Sequence, residues 1–264
     1  MSLKKYLFFT DLHLSFISRV NLVNIIKYHN PAGVMITGDF TDWSLTFSTH
    51  LEYIAKNVKV PIYFVLGNHE IWFSSFEKIA KELNTICEKY PHLIYLSQQN
   101  PLSLNHKTGI IGECGWYCGS IGNIEHLKYT LDWIFIKDFR ELPNMEARLA
   151  KFKEIAERDT NIICDKLRIA FETYKKVYLL THFPPFKEAN KYAGSFSEGF
   201  WEPYNSNIIM GQKLKALMKE YKKKRLIILA GHSHTNIIAN IKKNIQCNVG
   251  AAFADNCAFE IIYI

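Results

Sequence analysis

Five short apolar runs punctuate this chain, and each gives way abruptly to a polar cluster. YLFFT stops at Asp11, GVMIT at Gly38, PIYFVL at Gly67, VYLLT at His182 and LIILA at Gly231. Short continuous apolar runs rich in β-branched and aromatic residues read as strands buried on both faces. The first 70 residues predict strands near 5–10, 33–37 and 61–66 with helices near 17–28 and 45–57 between them. That βαβαβ order builds a parallel sheet with covering helices. A helix near 74–89 follows, then short strands near 93–97, 101–105 and 108–113.

From about 125 to 176 the pattern turns helical. Leu149, Phe152, Ile155, Ala156, Ile163, Leu167 and Phe171 recur at helical spacing between Asn144 and Lys176, the signature of an amphipathic helix. The stretch after His182 is loop-like and rich in Pro, Gly and aromatics. A helix near 210–222 and strands near 226–230, 236–241, 244–249 and 257–263 close the chain. No linker, composition break or repeat divides these elements, so residues 1–264 read as a single domain with a helical, cap-like insertion at about 125–176,.

Composition sharpens this picture. Hydrophobic residues make up 48% and aromatics 14% of the 264 residues, enough for a substantial core and too much for a disordered chain. The six cysteines are too sparse for a disulfide scaffold and none pairs as CxxC. Reduced thiols are expected, with Cys114 and Cys118 a minor candidate for a soft metal pair. MSLKKYLFF opens like a secretory signal, but its apolar run stops after four residues and later cleavage would remove Asp11 and His13,. No run approaches the roughly 20 apolar residues of a membrane span, so the expectation is a cytoplasmic protein without membrane contact.

The formal charge of +7 mildly favours phosphate-bearing partners. Lys222–Arg225 and Lys242–Lys243 carry much of it. No aromatics are interleaved with them, so they read as solvated charge at a helix end and a hairpin edge rather than as a nucleic-acid surface.

The candidate chemistry lies in the polar clusters: Asp11-Leu12-His13, Gly38-Asp39, Gly67-Asn68-His69-Glu70, His182 and Gly231-His232-Ser233-His234 use five of the ten histidines. The carboxyl ends of strands are where open α/β sheets place their sites. Taken singly, three of the clusters have a plain structural explanation, since Asp after a strand often caps a helix or closes a turn and His182 before Phe-Pro-Pro can be a core histidine, whereas GNHE and GHSH are rarer and point to a site even alone. Together, carboxylate oxygens, imidazole nitrogens and an amide carbonyl form a mixed ligand set that suits Mn, Fe, Zn, Co or Ni better than Ca or a thiolate zinc site. The set exceeds what one tetrahedral ion needs, so two cations are the natural count. Two cations about 4 Å apart can share a carboxylate and a water, lower that water's pKa and clamp a phosphoryl group. Phosphate ester hydrolysis, among the slowest uncatalysed reactions, needs that much help. His29, His50, His92, His106 and His126 have no such company and read as surface or structural.

In this order, with 28 residues from Asp11 to Asp39 and 29 from Asp39 to Asn68, the motifs DLH, GDFTD, GNHE, THFPP and GHSH resemble the calcineurin-like metallophosphoesterase superfamily across residues 8–234. The resemblance implies an α/β fold, a four-layer αββα sandwich around two mixed β-sheets. It implies Asp11, His13 and His234 on one metal, Asn68, His182 and His232 on the other, and Asp39 bridging both. It makes His69 the group that meets the phosphate and protonates the leaving group, with Asp42 the carboxylate that orients it. Manganese is the expected metal, with Fe, Zn, Ni and Co open.

The phosphoprotein phosphatase branch usually follows these motifs with arginines, as in GDxVDRG. This chain reads GDFTDWS and GNHEIWF, without the bidentate phosphate grip of arginine. DLHLS and GDFTD look closer to bacterial phosphodiesterases of the cyclic-nucleotide type. The expected activity is hydrolysis of a small, nucleotide-like phosphodiester. A phosphomonoesterase or a nuclease stays open within the superfamily, and a non-catalytic scaffold outside the enzyme class. Trp43, Trp72, Phe73, Trp116, Tyr117, Trp201 and Tyr204 fall near motif loops and are candidates either for stacking on a base or for packing. Glu198 and Glu202 either repel a polyanion, which weighs against a processive nuclease and leaves nucleic acid an open but not favoured partner, or belong to a solvated loop.

Overall fold

The computed structural model describes residues 3–192, 195–196 and 199–264. In chain order the strands are β1 (Lys5–Phe9), β2 (Gly33–Thr37), β3 (Ile62–Val65), β4 (Leu93–Tyr95), β5 (Leu102–Asn105), β6 (Thr108–Gly112), β7 (Lys176–Leu180), the two-residue β8 (Lys191–Tyr192) and β9 (Ser195–Phe196), β10 (Arg225–Ala230), β11 (Ile237–Lys242), β12 (Ile245–Val249) and β13 (Glu260–Tyr263). The helices are α1 (Ser18–His29), α2 (Ser44–Asn57), α3 (Phe76–Lys89), the single-turn α4 (Asp132–Phe135) and α5 (Lys137–Arg140), the 29-residue α6 (Met145–Thr173), α7 (Ile208–Glu220) and α8 (Phe253–Asn256).

The layers follow from the period of two within each buried strand. Leu7, Phe9, Val34, Ile36, Ile62 and Phe64 point to one side and meet Leu22, Leu51, Ile54, Ile79 and Leu83 of α1–α3. Their neighbours Tyr6, Phe8, Met35, Tyr63 and Val65 point to the other side and meet Ile110, Tyr178, Leu180, Ile227 and Leu229 of a second sheet. The far face of that sheet, with Ile111, Val177, Leu179, Leu226 and Ile228, is covered by Ile163, Leu167 and Phe171 of α6 and by Leu214 and Met218 of α7. Each such side chain contributes about 1.5–3 kcal/mol by leaving water. The result is the αββα sandwich. One sheet runs β13-β1-β2-β3-β4, the other β11-β12-β10-β7-β6-β5. Both are mixed: β13, β11 and β5 pair antiparallel at edges of otherwise parallel sheets.

Caps fix the helix starts. Ser75 accepts from the Lys78 amide, Asn144 from Ala147 and Asn207 from Met210, each satisfying an otherwise orphaned donor. The region read from sequence as a helical cap divides in two. The C-terminal half of α6 is an ordinary covering helix of the second sheet. Residues 124–142, a 3₁₀ turn followed by α4 and α5, pack instead beside the strand ends that carry the polar motifs. The expected strand at 93–97 ends at Tyr95 and tightens into a 3₁₀ turn, and α8 was not foreseen. Among the described residues, no helix is long and apolar enough to cross a membrane.

Candidate metal centre

The polar motifs leave β1, β2, β3, β7 and β10 at their carboxyl ends, and the backbone turns there in ways most side chains resist. Asp11, His13, Asp39, His232 and His234 all have positive φ, between 39° and 67°, a conformation that costs non-glycine residues energy and collects at functional sites. The flanking glycines allow the loops to close on one another. A Cβ on Gly67 would sit 2.0 Å from Asp39 Oδ1, and one on Gly231 would sit 1.9 Å from Thr10 Oγ1 and 2.6 Å from Asp11 Oδ2.

The turns bring the motif side chains into adjoining groups. Asp11, His13 and His234 each place a ligand-type atom within 4.8 Å of the others, and so do Asp39, His182 and His232, and His13, Asp42 and His69. His13 Nε2 lies 3.3 Å from His234 Nε2, and His234 Nε2 lies 3.4 Å from Asp11 Oδ1. Asn68 Oδ1 and Asp39 Oδ2 are each 3.3 Å from His182 Nε2. Asp39 Oδ2 is also 4.0 Å from His13 Nε2, so this one carboxylate faces both of the first two groups. His182 Nδ1 donates to the Thr37 carbonyl at 2.7 Å, which fixes the ring with Nε2 aimed inward at Asn68 and Asp39,.

The electrostatics follow from burying these charges together. Burial opposes ionisation of Asp39, but the charges of His182 and His69 hold its carboxyl well below the usual range. Asp11 is likewise lowered, against the cost of burial, by its contact with His234 and the charge of His182. His13 is raised to about 9, burial being outweighed by Asp42 and Asp39, and His182 is raised to about 9 by Asp39 and Asp11. His232 goes the other way, to about 3, through burial and the neighbouring His182 charge. Carboxylates held ionised opposite imidazoles are the donor set for divalent cations.

Asp42 is placed differently from the expectation. Its carboxylate Oδ1 meets His13 Nδ1 at 2.9 Å, while His69 Nδ1 meets the Asp42 main-chain carbonyl at 3.2 Å. The bend after Asp39 turns the carbonyl toward His69 and sends the side chain to His13, so Asp42 contacts His69 through its backbone. His69 itself stacks on Trp72 with ring centroids 3.7 Å apart, and its Nε2 is 3.9 Å from Asp39 Oδ2.

The aromatic candidates separate. Trp116 and Tyr117 are fully buried in a core with Phe139, Phe152 and Phe183, so they cannot stack on a ligand. Trp43 and Phe73 are exposed, and Trp72 and Tyr204 line a cavity of about 370 Å³ over these groups. Glu198 and the side chain of Trp201 lie outside the described residues. Glu202 pairs with Lys187 at 3.1 Å. Neither Cys114 nor Cys118 joins a metal-competent group among the described residues. His50 is buried against Phe16, a structural histidine. The basic runs surround a separate hollow with Lys219, Lys222, Lys223, Arg225, Lys242 and Lys243, at the opposite end of β10 from His232.

Sequence reasoning missed two carboxylates. Glu70 is fully buried and accepts from the amides of Asp39, Phe40, Thr41 and Gly67 at 2.6–3.3 Å, clamping two motif loops together. Burial and the Asp39 charge raise it to about 7. Its place in GNHE was the available signal. Asp132 approaches from residues 124–142 and accepts from Asn68; nothing in a single sequence marks it.

A family model described as calcineurin-like phosphoesterase matches residues 4–236. No curated protein matches the sequence. Among solved structures, a dimetal phosphatase from Danio rerio aligns over 100% of this chain and 93% of its own with a TM-score of 0.64 at 10% identity. A protein of Thermus thermophilus aligns over 99% of both chains, with a TM-score of 0.56 and 9% identity. GAP50, the anchor in the inner membrane complex of Plasmodium, aligns over 97% of this chain and 73% of its own, with a TM-score of 0.53 and 12% identity. At these identities the likeness is one of fold.

Proposed function

The chain belongs to the calcineurin-like phosphoesterase family, and on that premise we propose that it hydrolyses a small phosphodiester at a dinuclear metal centre. Asp11, His13 and His234 would hold one cation, Asn68, His182 and His232 the other, with Asp39 between them. We propose manganese for both, on the mixed oxygen and nitrogen donor set. Such a pair of cations, when bound, polarises a phosphoryl oxygen and supplies a nucleophile at neutral pH. The protein's own work is positional. Glu70 fixes the loops, Thr37 orients His182, and His69, on the cavity wall and braced by Trp72, would donate a proton to the departing oxygen.

One observation carries the preference for diesters. The cavity is lined by the motif residues, by Trp72, Tyr129, Leu131 and Tyr204 and by the polar Thr130, Asp132 and Asn205, and no lysine or arginine is among the described lining residues. A monoester dianion is best gripped by arginine, whereas a diester carries one charge and an extra organic group that aromatic and apolar walls suit. The cationic hollow lies at the other end of β10, which weighs against a nucleic-acid groove leading to the metals. The six free thiols favour a reducing compartment, and we place the protein in the cytoplasm.

The test is an assay of metal-stripped protein, restored with Mn, on bis(p-nitrophenyl) phosphate and on p-nitrophenyl phosphate, with Asp39→Asn as control. The expected result is diester turnover in excess of monoester turnover, absent from the control. Monoester preference would overturn the substrate class, and no turnover with Mn, Ni, Co or Zn would leave a non-catalytic scaffold as the better reading.

A further inference from the structure

Residues 124–142 dock onto the turn that carries Asn68 and His69. The Phe73 amide donates to the Phe135 carbonyl and the Lys137 amide to the Ser74 carbonyl, both at 2.9 Å, and the Phe76 amide donates to Asp138 Oδ2 at 3.1 Å. At the centre of this contact is Asp132, 3% exposed. Its Oδ1 accepts from Asn68 Nδ2 at 3.0 Å and from Trp72 Nε1 at 2.6 Å, and its Oδ2 accepts from the Tyr117 hydroxyl at 2.8 Å. Burying a carboxylate is expensive unless its lone pairs are used. Here an amide, an indole and a phenol, all neutral, converge as donors. Both carboxyl oxygens are thereby engaged, Oδ1 by the amide and the indole and Oδ2 by the phenol.

The amide of Asn68 has two ends that differ chemically, and its neighbours decide which end faces which way. Donation of Nδ2 to Asp132 Oδ1 turns the Asn68 Oδ1 to the opposite side, toward His182 Nε2 at 3.3 Å. The same Oδ1 of Asp132 holds the indole that stacks on the His69 ring at 3.7 Å. Resting on the metallophosphoesterase reading above, we propose that Asp132 is a positioning residue of the metal centre. It fixes the Asn68 carbonyl oxygen toward the cation shared with His182 and His232 and, through Trp72, fixes the His69 ring. The segment 124–142 thereby completes the site as well as walling it.

The experiment measures stepwise Mn binding by calorimetry and metal content, together with turnover of bis(p-nitrophenyl) phosphate, in wild type, Asp132→Leu and Tyr117→Phe. Asp132→Leu keeps the branched shape but removes the oxygen that accepts from Asn68 and Trp72. One of the two Mn steps should weaken by about 10- to 100-fold, the range typical of groups that orient metal ligands, while the other step is unchanged. Tyr117→Phe removes a donor from the far oxygen only, so it should lower thermal stability and leave both Mn steps within about twofold of wild type. Equal Mn binding in wild type and Asp132→Leu, or equal weakening in both variants, would overturn the positioning role.

Should Asp132→Leu fail to fold, Asn68→Asp decides the matter. It adds an anionic ligand but faces Asp132 with a second carboxylate. Weaker Mn binding supports the proposal; unchanged or tighter binding overturns it. A wild type that binds fewer than two Mn ions overturns the underlying reading instead, so the two failures are distinguishable.

Discussion

The floor of the metal cleft and the aromatic core under its side wall are equally buried, yet they are built on opposite terms. In the cleft, Asp11, Asp39, Asn68 and His182 are at most 4% exposed, carry or share charge, and sit on loops with left-handed backbone at five positions. In the neighbouring core, Trp116, Tyr117, Phe139, Phe152 and Phe183 close on one another with ring centroids 4.5–6.1 Å apart, at distances aromatic pairs favour. The core is held by ring packing. The cleft is held by charge, its carboxylates and imidazoles converging on one another. Stability is therefore the province of the aromatic core and chemistry that of the cleft, and substitutions should separate accordingly.

The largest effect is expected in the cleft. Asp39→Asn should cut diester turnover by on the order of 10⁴-fold and abolish metal co-purification while circular dichroism stays native. Retained turnover would remove Asp39 from its bridging place. On the other side of the contrast, Trp116→Ala should lower stability by about 3–5 kcal/mol, as large aromatic truncations do, with turnover per folded molecule unchanged. A selective loss of activity without a fall in denaturant midpoint would blur the distinction between the two regions. Next in size, His69→Ala should keep its metals yet slow hydrolysis of esters with poor leaving groups by about 10²- to 10³-fold, and the defect should shrink with p-nitrophenolate as leaving group. Loss of metal in this variant would make His69 a ligand.

A pH series tests the cleft's charge pattern. His13 and His182 have folded-state values raised to about 9. In protein stripped of metal, their contribution to stability is present in full below pH 6.5 and is lost as pH rises through 9. Cations need neutral imidazoles, so Mn binding should tighten over the same window, by roughly tenfold per pH unit for each proton displaced. Thermal melts with and without Mn from pH 6.5 to 9 should diverge; parallel curves would contradict the assignment. The smallest effect is expected at the cavity rim, where Tyr129 is 57% exposed. Tyr129→Ala should raise KM for an aromatic diester about fivefold, equivalent to ~1 kcal/mol, with kcat held.

The same contrast explains what was legible in the sequence. The sheets could be read because each strand is a continuous apolar run with buried neighbours on both faces, and the positions of the cleft residues could be read because few residue types hold metals. Aromatic residues carry no such signature. Trp116 and Trp72 each stand near a motif, but only packing separates a core ring from a cavity wall. Asp42 was read with the right neighbourhood and the wrong contact, because a bend decides whether a side chain or a carbonyl faces His69. Asp132 was invisible, since its role depends on residues 124–142 folding back over Asn68, a long-range contact that no local pattern records. The helical stretch after residue 144 looked like one cap because periodicity gives the length of a helix and not the surface it covers.

The central claim, a dinuclear centre bridged by Asp39, is tested most directly by saturating metal-stripped protein with Mn, counting ions per chain and recording the electron paramagnetic resonance spectrum. The account expects two ions per chain with an exchange-coupled signal that disappears in Asp39→Asn. A single uncoupled ion, or a coupled pair that survives the substitution, would contradict it.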